Sequence, residues 1–543
     1  MKKQAWQIPL VIIILLVILS GLHVPLVVNA AKYAQVAREI LSNHDWLNMT
    51  IAHEPYEQKP PMLFWLGASF FALFGVSAVV YKVGILLVSL LGVYATFRLG
   101  ALLYDRKTGK LAAFFWITSL GYIHFHGDIH TDTLLVVPVM VAIWQFATWI
   151  KLKKELNFYL GVVAVGFAML TKGPVGMLIP GAAVGLQLLF SRNWKGLFNG
   201  HWLLAVPLVF VMVLPALIPL FQNFGFEGIK FYFWTNNVGR VTGEYKGSNS
   251  DPFFYLHTSL YMLAPWMVFG FAGVFMQLRE KLICWRNKVE PGEFYTLGGT
   301  LVYLLIASFA KQKNPHYEMA VLPLIMLLGA RWAIRIYETT DYRKLKRAMS
   351  GINLFMGLVL VILVFPFLLY FFPNAKAWVW AVVIVLTASF AYSVLWKNSL
   401  HKQLVNLFLA ISIFMFVLNA HIMPNLAKFH SPLQACKLFN QQAGEQAKLY
   451  IFGEDSRYWS IFFYADNYGR YLVSDDDLRK AALPAGDFLY TSADGMTRLD
   501  SMQVNYQVVD SMDHRSLSRI SMKVINPKTR ASKLEKRYLL KLE

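Results

Sequence analysis

Charged side chains and cysteines are scarce in this sequence. Only 15% of its 543 residues are Asp, Glu, Lys or Arg, and 57% are hydrophobic, whereas charged residues make up about 25% of an average soluble domain. A chain of this length with so little charge lacks the polar surface that several soluble domains would need. The composition therefore predicts a protein that crosses a membrane many times.

The two cysteines, Cys284 and Cys436, are too few for a disulfide framework or a cysteine-rich metal site. The net charge of +20 does not indicate nucleic-acid binding, because the basic residues occur in short clusters between apolar runs. We therefore expect membrane lipids, and no nucleic acid, among the partners of the protein.

Apolar runs follow one another along most of the chain. The first, residues 8–28, is longer than the roughly 7–15 apolar residues of a signal peptide, so an uncleaved helix is favoured over a cleaved leader. Length and hydropathy predict about thirteen membrane-spanning helices, at residues 8–28, 78–101, 111–125, 133–150, 157–170, 174–190, 202–221, 256–278, 296–310, 317–335, 351–372, 377–396 and 403–422.

Basic loops set the predicted orientation of these helices. Clusters of Lys and Arg follow the even-numbered spans, at residues 106–110, 151–154, 192–195, 279–288 and 343–347. The positive-inside rule places these loops and the N-terminus in the cytoplasm. The two longest gaps, residues 29–77 and 222–255, then face the outer side, together with everything after the last span.

The hydropathy falls near residue 435, which divides the chain into a membrane domain, residues 1–435, and a smaller domain, residues 436–543. Short apolar runs alternate with polar stretches in the second part. This pattern predicts a small α/β domain on the outer side, with strands near residues 448–452, 470–474, 487–491 and 503–509. The lysine-rich residues 528–541 are expected to form a solvated terminal face rather than a contact with lipid headgroups.

Polar side chains on the outer side are the candidate functional residues, because a membrane protein places them where water, headgroups or a reaction require them. Residues 29–40 predict an amphipathic helix in the interface, either functional or a passive surface helix. Lys59 precedes two prolines and an apolar helix, so its ammonium is expected beside lipid headgroups or a lipid phosphate, with ordinary snorkelling as the alternative.

Three further cations come from separate outer gaps. Lys172 lies in a turn too short to carry its charge away from the membrane, although Gly-Pro there also fits a simple helix junction. Arg240 follows an aromatic run suited to the interface and can donate two N–H groups to a phosphate. With Lys313 and Lys59, these residues are hypothesised to form one anion pocket at the membrane surface.

Histidine and aspartate alternate at His124, His126, Asp128, His130 and Asp132. An extended loop would put all five on one face, and a helix would stack pairs of them at a spacing of four. His126 and His130 are therefore weak candidates for metal ligands, since one segment rarely supplies a full ligand set. Asp132 starts the next span, where an acid is costly unless it faces a cavity, and it is the better candidate, as a catalytic carboxylate or a substrate anchor.

Six motifs occur in an order that resembles a known family: Lys-Tyr-Ala-x-x-Ala-Arg-Glu at 32–39, Tyr-x-x-Lys-Pro-Pro-x-x-x-Trp at 56–65, Thr-Asp at 131–132, Thr-Lys-Gly-Pro at 171–174, Pro-Trp at 265–266 and Lys-x-Pro-His-Tyr at 313–317. Over residues 1–435 the chain is similar to polyprenyl-phosphate-sugar glycosyltransferases of GT-C architecture. The nearest groups are the aminoarabinose transferase of lipid A and the protein mannosyltransferases, and the span layout with an outer domain favours the first. The motifs predict the family and not the sugar.

The resemblance implies transfer of a sugar from an undecaprenyl (polyprenyl) phosphate carrier, at the periplasmic face of a bacterial inner membrane. It implies that Lys59 and Arg240 bind the carrier phosphate and that Asp132 lies near the reacting centre. The remaining residues expected around the donor phosphate are Lys172, Tyr56, Lys313 and Tyr317.

Two positions depart from the family pattern. An Asp is usual where Asn29 stands, and an acid usually precedes the lysine of Lys-Pro-Pro, where this chain has Gln58. Amides are neither general bases nor good ligands for divalent metals, so Asn29 is only a weak catalytic candidate and a metal cofactor is doubted. Either Asp132 or Asp128 takes up the proton, or the acceptor needs no base. The last case favours a lipid A phosphate, which is already ionised at neutral pH.

The sequence therefore predicts an inverting membrane glycosyltransferase with lipid A as the acceptor. A protein O-mannosyltransferase-like enzyme with a protein acceptor is the alternative reaction. A lipid-carrier transporter, or an inactive lipid-binding protein, is the alternative of another class. A transporter would place charged residues deep inside the spans, whereas the candidate residues here lie at the span ends.

Overall fold

The structure, a computed structural model, describes residues 7–244, 249–290, 292–453, 458–481, 483–517 and 520–543. Helices form nearly all of the first 442 residues, and a short hairpin of β1 (Thr50–Ile51) and β2 (Glu54–Pro55) interrupts them. The helices are α1 (Gln7–Leu22), α2 (Val28–Ser42), α3 (Met62–Phe74), α4 (Ala78–Leu103), α5 (Arg106–Ile117), α6 (Leu120–Gly127), α7 (Thr131–Leu152), α8 (Glu155–Lys172), α9 (Val175–Phe190), α10 (Trp194–Leu197), α11 (His201–Lys230), α12 (Val238–Thr242), α13 (Phe254–Met262), α14 (Met267–Arg286), α15 (Tyr295–Phe309), α16 (Leu322–Glu338), α17 (Arg343–Pro366), α18 (Ala377–Val394), α19 (Leu400–Val417), α20 (Met423–Ala427) and α21 (Ser431–Gln442).

Every predicted span contains a helix, and the protein is a multi-pass membrane protein. Among the described residues, seven helical stretches of at least 18 residues are apolar enough to cross a membrane: Ala78–Leu103, Thr131–Leu152, Trp194–Thr235, Pro315–Glu338, Arg343–Phe371, Ala377–Val394 and Leu400–Ala427. Shorter apolar helices are Ile8–Leu22, Met62–Phe74, Val175–Phe190 and Tyr295–Phe309. The number of crossings, about thirteen, stays a prediction.

Three predicted spans are interrupted in the structure. Helix α1 ends at Leu22, ahead of Pro25, so residues 8–28 do not form one helix. Residues 111–125 are divided between α5 and α6, because the Ser119 hydroxyl caps α6 by accepting a hydrogen bond from the Tyr122 N–H at 3.2 Å. Residues 256–278 are likewise divided between α13 and α14.

The last two interruptions touch each other inside the bundle. The Leu120 N–H donates to the Ala264 carbonyl at 2.8 Å, and the Trp266 indole N–H donates to the Thr118 hydroxyl at 3.0 Å. Backbone groups released by a helix break in a membrane must find partners within the protein. Each break thus provides partners for the other.

The second part of the chain is a small domain built on a five-stranded sheet. Strands β3 (Leu449–Phe452), β4 (Tyr468–Leu472), β5 (Phe488–Ser492), β6 (Tyr506–His514) and β7 (Glu535–Leu542) lie in the order β4-β3-β5-β7-β6. Strand β3 is parallel to β4 and β5, whereas β7 is antiparallel to β5 and β6. The helices between them are α22 (Trp459–Tyr464), α23 (Asp475–Ala481), α24 (Ala493–Ser501), α25 (Met522–Ile525) and α26 (Pro527–Arg530).

Two expectations about this domain need correction. The predicted boundary at residue 435 falls inside α21, whose Cys436 and Phe439 pack in the same core as β3 and β5, so this helix belongs with the sheet. The lysine-rich residues 528–541 form a solvated face only in part, where Lys528, Lys533 and Lys536 are exposed. Their second half is strand β7, with Leu539 and Leu540 fully buried between β5 and β6.

Helix α2 is not a passive surface helix. It is buried on both sides, against α3 and against α22 of the small domain. The Arg38 guanidinium donates to the backbone carbonyls of Phe462, Phe463 and Ala465 at 3.0–3.1 Å, and to that of Asp466 at 3.0 Å. The small domain and the membrane domain are therefore joined through α2.

Candidate active site

The ends of several helices meet at one face of the bundle and bring polar side chains together there. Asp132 lies in the first turn of α7 and Lys172 in the last turn of α8. Their side chains form an ion pair, with 1% and 11% of their surfaces exposed. A buried pair of this kind needs both partners, because removal of one leaves an unpaired charge.

Arg240 and Tyr317 extend this ion pair. The Arg240 guanidinium donates to the Tyr317 hydroxyl at 2.7 Å and to the Asn236 side-chain oxygen at 2.8 Å. The Lys172 ammonium lies 4.0 Å from the centre of the Tyr317 ring, within the range of a cation–π contact. Tyr317 therefore joins the two cations, which come from distant parts of the sequence.

Lys59 lies beside the same group. It lines a narrow cavity together with Lys172, Gly173 and Asn236, and the Asn236 amide holds its loop by donating to the Gln58 carbonyl at 3.1 Å. Burial, followed by the charges of Arg240 and Lys172, holds the pKa of Lys59 well below its ordinary range. A bound anion would offset this repulsion between cations.

The alternating His/Asp segment is neither one helix nor one strand. Helix α6 ends at Gly127, and His130 has an extended backbone just before α7, so the stacking at a spacing of four does not occur. His130 lies 3.2 Å from the Asp128 carboxylate, and its ring stacks on that of His316 at 4.0 Å. His316 is in turn 3.9 Å from the Asp132 carboxylate.

The Asp128 side chain is an ionised carboxylate at neutral pH. Burial raises the pKa of Asp128, but the positive potential and hydrogen bond of His130, with further contributions from His124 and Lys82, outweigh burial and lower it. A single network thus runs from Arg240 through the Lys172–Asp132 pair to Asp128.

The two weak metal candidates do not converge. The ring of His126 packs on Tyr122 and its Nδ1 lies 2.6 Å from the Tyr122 carbonyl, whereas His130 pairs with Asp128. Within the described ranges, no group of three or more His, Cys, Asp or Glu side chains is arranged to hold a metal ion.

Three predicted residues have other surroundings than the Lys172–Asp132 pair. The Lys313 ammonium donates to the backbone carbonyls of Asn249 and Asp251 at 3.3 and 2.5 Å. Tyr56 is buried against Phe64, with ring centres 5.5 Å apart. Asn29 lies in the first turn of α2 and makes no side-chain hydrogen bond with any described residue.

Two residues of α2 belong to the site, although the sequence shows them only as the start of a family motif and gives them no separate role. The Lys32 ammonium donates to the Gln58 side chain and lies 5.1 Å from the Tyr56 ring centre. Tyr33 meets His130 edge-on at 6.3 Å, and burial, followed by the Asp132 charge, raises the pKa of Tyr33. The adjacent lysine and tyrosine in an alanine-rich helix were the available signal.

Comparison with known proteins identifies this architecture. Residues 58–218 match the family model described as dolichyl-phosphate-mannose-protein mannosyltransferase. Over its whole length the fold superimposes on ArnT from Cupriavidus metallidurans, solved bound to undecaprenyl phosphate, with a TM-score of 0.76 and 17% identity, covering 99% of this chain and 98% of that one. The chain has the GT-C fold.

The resemblance inferred from the six motifs is thereby confirmed. Among sequences, the undecaprenyl phosphate-alpha-4-amino-4-deoxy-L-arabinose arabinosyl transferase of Edwardsiella ictaluri is 27% identical over 338 residues, or 61% of this chain. That of Pseudomonas paraeruginosa is 25% identical over 338 residues, or 60% of this chain. The chain spans 59% of the length of each of these relatives.

Proposed function

We propose that the protein is a membrane glycosyltransferase that moves a sugar from an undecaprenyl phosphate carrier to the phosphate of lipid A. The observation that carries this proposal is the cluster of Lys59, Lys172 and Arg240 around one buried carboxylate, Asp132, at the helix ends. Cations that repel one another in the free protein are suited to an anionic ligand. The names of the relatives support undecaprenyl phosphate as that ligand.

The chemistry is a displacement with inversion at the anomeric carbon. An acceptor oxygen forms the new bond from one side while the bond between carbon and the carrier phosphate oxygen breaks on the other. The bonding electron pair stays on the phosphate, whose negative charge grows. Lys59 and Arg240 are already in position before the reaction, so they offset this charge without further rearrangement.

Asp132 is better suited to hold Lys172 than to accept a proton, because its carboxylate is already paired with that ammonium. Asp128, on the more exposed side of the His130 contact, is the other candidate base. A phosphate acceptor reduces the need for either, since its oxygen is ionised before it attacks. Wild-type rates in an Asp132→Asn variant would exclude Asp132 as the base.

We place the site at the periplasmic face of the bacterial inner membrane. Basic loops follow the C-terminal ends of α4, α7 and α9, and Asp132 lies at the opposite, N-terminal end of α7. The positive-inside rule assigns the basic loops to the cytoplasm. The small domain then lies in the periplasm and the N-terminus in the cytoplasm.

Two rivals remain distinguishable. The matching family model supports a protein O-mannosyltransferase as the alternative reaction. A transporter would place charged residues inside the spans, and Lys82 is a cation buried in α4. Its ammonium, however, donates to the carbonyls of Gly21 and Val24 and stabilises the turn between α1 and α2, so this buried charge has a structural role and does not favour a transporter.

The test is to reconstitute the purified protein in nanodiscs with undecaprenyl phosphate-linked sugars and lipid A. We expect release of free undecaprenyl phosphate that depends on lipid A, with the sugar recovered on a lipid A phosphate by mass spectrometry. Release that depends on an added protein acceptor would support the mannosyltransferase. Binding without release would overturn the transferase assignment, and movement of intact donor across sealed vesicles would favour a transporter.

A further inference from the structure

A second polar cavity lies at the end of the bundle opposite to Asp132. Helices α4, α7 and α9 end at this cavity and α15 begins there. Asp132 is in the first turn of α7 and Lys151 in the last, and a helix of that length measures about 33 Å. The cavity, of about 490 Å³, is therefore separate from the site described above.

Side chains of both charge signs line this cavity. They are Lys151, Lys281 and Arg331, and Glu280, Glu290 and Glu293. Lys281 is buried and Arg331, Glu280 and Glu293 are half-buried, whereas Lys151 and Glu290 are exposed at the rim. Buried or half-buried charges at a membrane surface are costly unless they are paired or face a polar ligand. A ligand complementary to both sets carries a negative and a positive group at once.

Several of these groups are held in fixed positions. Arg331 forms an ion pair with Glu280 at 3.0 Å and donates to the Gln277 side chain at 2.5 Å. Glu293 accepts hydrogen bonds from the Thr296 N–H at 3.1 Å and from the Tyr104 hydroxyl. The cavity wall is thus organised before any ligand enters, which lowers the entropic cost of binding.

Apolar side chains beside the cavity are exposed to the surroundings. Leu152 is 52% exposed, Phe190 49%, Leu282 56% and Trp285 78%. They belong to the ends of α7, α9 and α14, the same helix ends that frame the cavity. In a membrane protein this arrangement puts a polar recess at headgroup depth next to a surface for hydrocarbon chains.

We propose that this cavity binds a zwitterionic aminophospholipid. The phosphate faces the cations, foremost Lys281 and Arg331, and the primary ammonium faces Glu293 and Glu290. The acyl chains lie along the exposed apolar side chains. A choline headgroup does not satisfy the acids, because its quaternary nitrogen has no N–H to donate, and a glycerol headgroup lacks the positive charge.

Cys284 reports on occupancy because it lines the cavity and is partly exposed, whereas Cys436 is buried in the small domain. The wild-type protein is placed in nanodiscs containing phosphatidylethanolamine, phosphatidylcholine or phosphatidylglycerol, and alkylation of Cys284 by N-ethylmaleimide is followed by mass spectrometry. At a lipid concentration ten times the dissociation constant, we expect alkylation about tenfold slower with phosphatidylethanolamine than with the other two. Equal rates in all three lipids would overturn the proposal.

Two cavity variants, one control variant and one soluble probe complete the test. Lys281→Gln and Glu293→Gln should abolish the protection by phosphatidylethanolamine, whereas Lys195→Gln, an exposed lysine at the same end of the bundle, should retain it. Protection of the wild-type protein in detergent by phosphoethanolamine, as strong as that by the lipid, would show that the ligand is a soluble phosphate ester and would reject the lipid. The measurement is independent of sugar transfer, so its failure leaves the proposed function untouched.

Discussion

Lys59 is the residue on which the proposed donor site depends most directly. Burial, followed by the charges of Arg240 and Lys172, makes the pKa of Lys59 low in the free protein. A phosphate brings the missing negative charge, and it binds best while Lys59 is protonated. The interaction therefore strengthens as charge accumulates on the leaving phosphate.

Replacement of Lys59 by glutamine should lower kcat/KM for the lipid-linked donor by about 10²–10³, the usual effect of removing one preorganised charge-stabilising donor. The measurement is release of undecaprenyl phosphate in nanodiscs over a range of donor concentrations. The matched control is Lys311→Gln, which removes an exposed lysine on the neighbouring loop. If both variants lost activity equally, activity would depend on the overall positive charge of this face of the protein and not on the position of Lys59.

The Asp132–Lys172 pair predicts a non-additive pair of substitutions. Asp132→Asn or Lys172→Met alone leaves one buried charge unpaired, which costs about 3–5 kcal/mol of folding free energy. The double variant removes both charges, so its loss of folding free energy should be smaller than the sum of the two single losses. Urea unfolding of all four proteins measures this coupling, and strictly additive losses would show that the pair is not coupled in solution.

The sequence predicted several residues of this site, and it did so through charge. Lys59, Lys172 and Arg240 could be selected because a cation at a span end requires an explanation. Lys313 met the same criterion, yet its ammonium binds two backbone carbonyls, and no residue pattern encodes that contact. Lys32 does not stand out in the sequence, because residues 29–40 have the pattern of an ordinary amphipathic helix.

At the level of elements, the polar core of the small domain makes its stability depend on pH. His430 is hydrogen-bonded to Ser460 at 3.0 Å and His514 to Ser431 at 2.8 Å. Burial lowers the pKa of His430 to about 4, and burial with nearby Arg537 lowers that of His514 to about 3. Both are far below the ordinary value of about 6.5, so the folded domain keeps these rings neutral.

The folded pKa values are the lower ones, so the unfolded chain binds more protons between about pH 6.5 and 4. Stability is therefore complete above pH 6.5 and falls as the pH drops through this window, by up to about 2.7 kcal/mol per pH unit for two protons. Urea midpoints of a Cys284→Ser protein, detected by reaction of Cys436 with 4,4′-dithiodipyridine, measure the slope. His430→Gln with His514→Asn should flatten it, and an unchanged slope would assign the effect to carboxylates.

Helix breaks mark the limit of sequence reasoning for single elements. Hydropathy located each span, because the bilayer requires an apolar run of a certain length. It could not divide residues 111–125 or 256–278, since these segments are predominantly apolar and the two breaks are stabilised by contacts with each other. A serine cap and a proline were visible, but neither alone requires a break.

The whole molecule was predictable in its fold class because composition and motif order are properties of the complete chain. The GT-C fold and the small sheet domain followed from them. Strand β7 did not, because its buried Leu539 and Leu540 are adjacent rather than alternating, and Lys and Arg residues flank them. The sequence also left open how the small domain docks, a question decided by backbone carbonyls that any residue could supply.

The orientation of the molecule can be tested with its own cysteine. Cys284 lies in the last turn of α14, within the basic region at residues 279–288. The positive-inside rule assigns this region to the cytoplasm. A membrane-impermeant maleimide should label Cys284 in inside-out vesicles and leave it unlabelled in intact spheroplasts. A Lys448→Cys variant, at the edge of the small domain, should show the reverse pattern. Labelling of both cysteines from one side would refute the proposed topology.

Arg38 couples the position of the small domain to that of the membrane domain. Four carbonyls around α22 grip one guanidinium on α2, and Lys32, two turns away, lies 5.2 Å from the Trp459 ring of the same small domain. A ligand that displaced the small domain would also displace α2 and disturb the contacts of Lys32 at the proposed donor site. An antibody fragment that binds the small domain would then inhibit sugar transfer without having to enter the lipid.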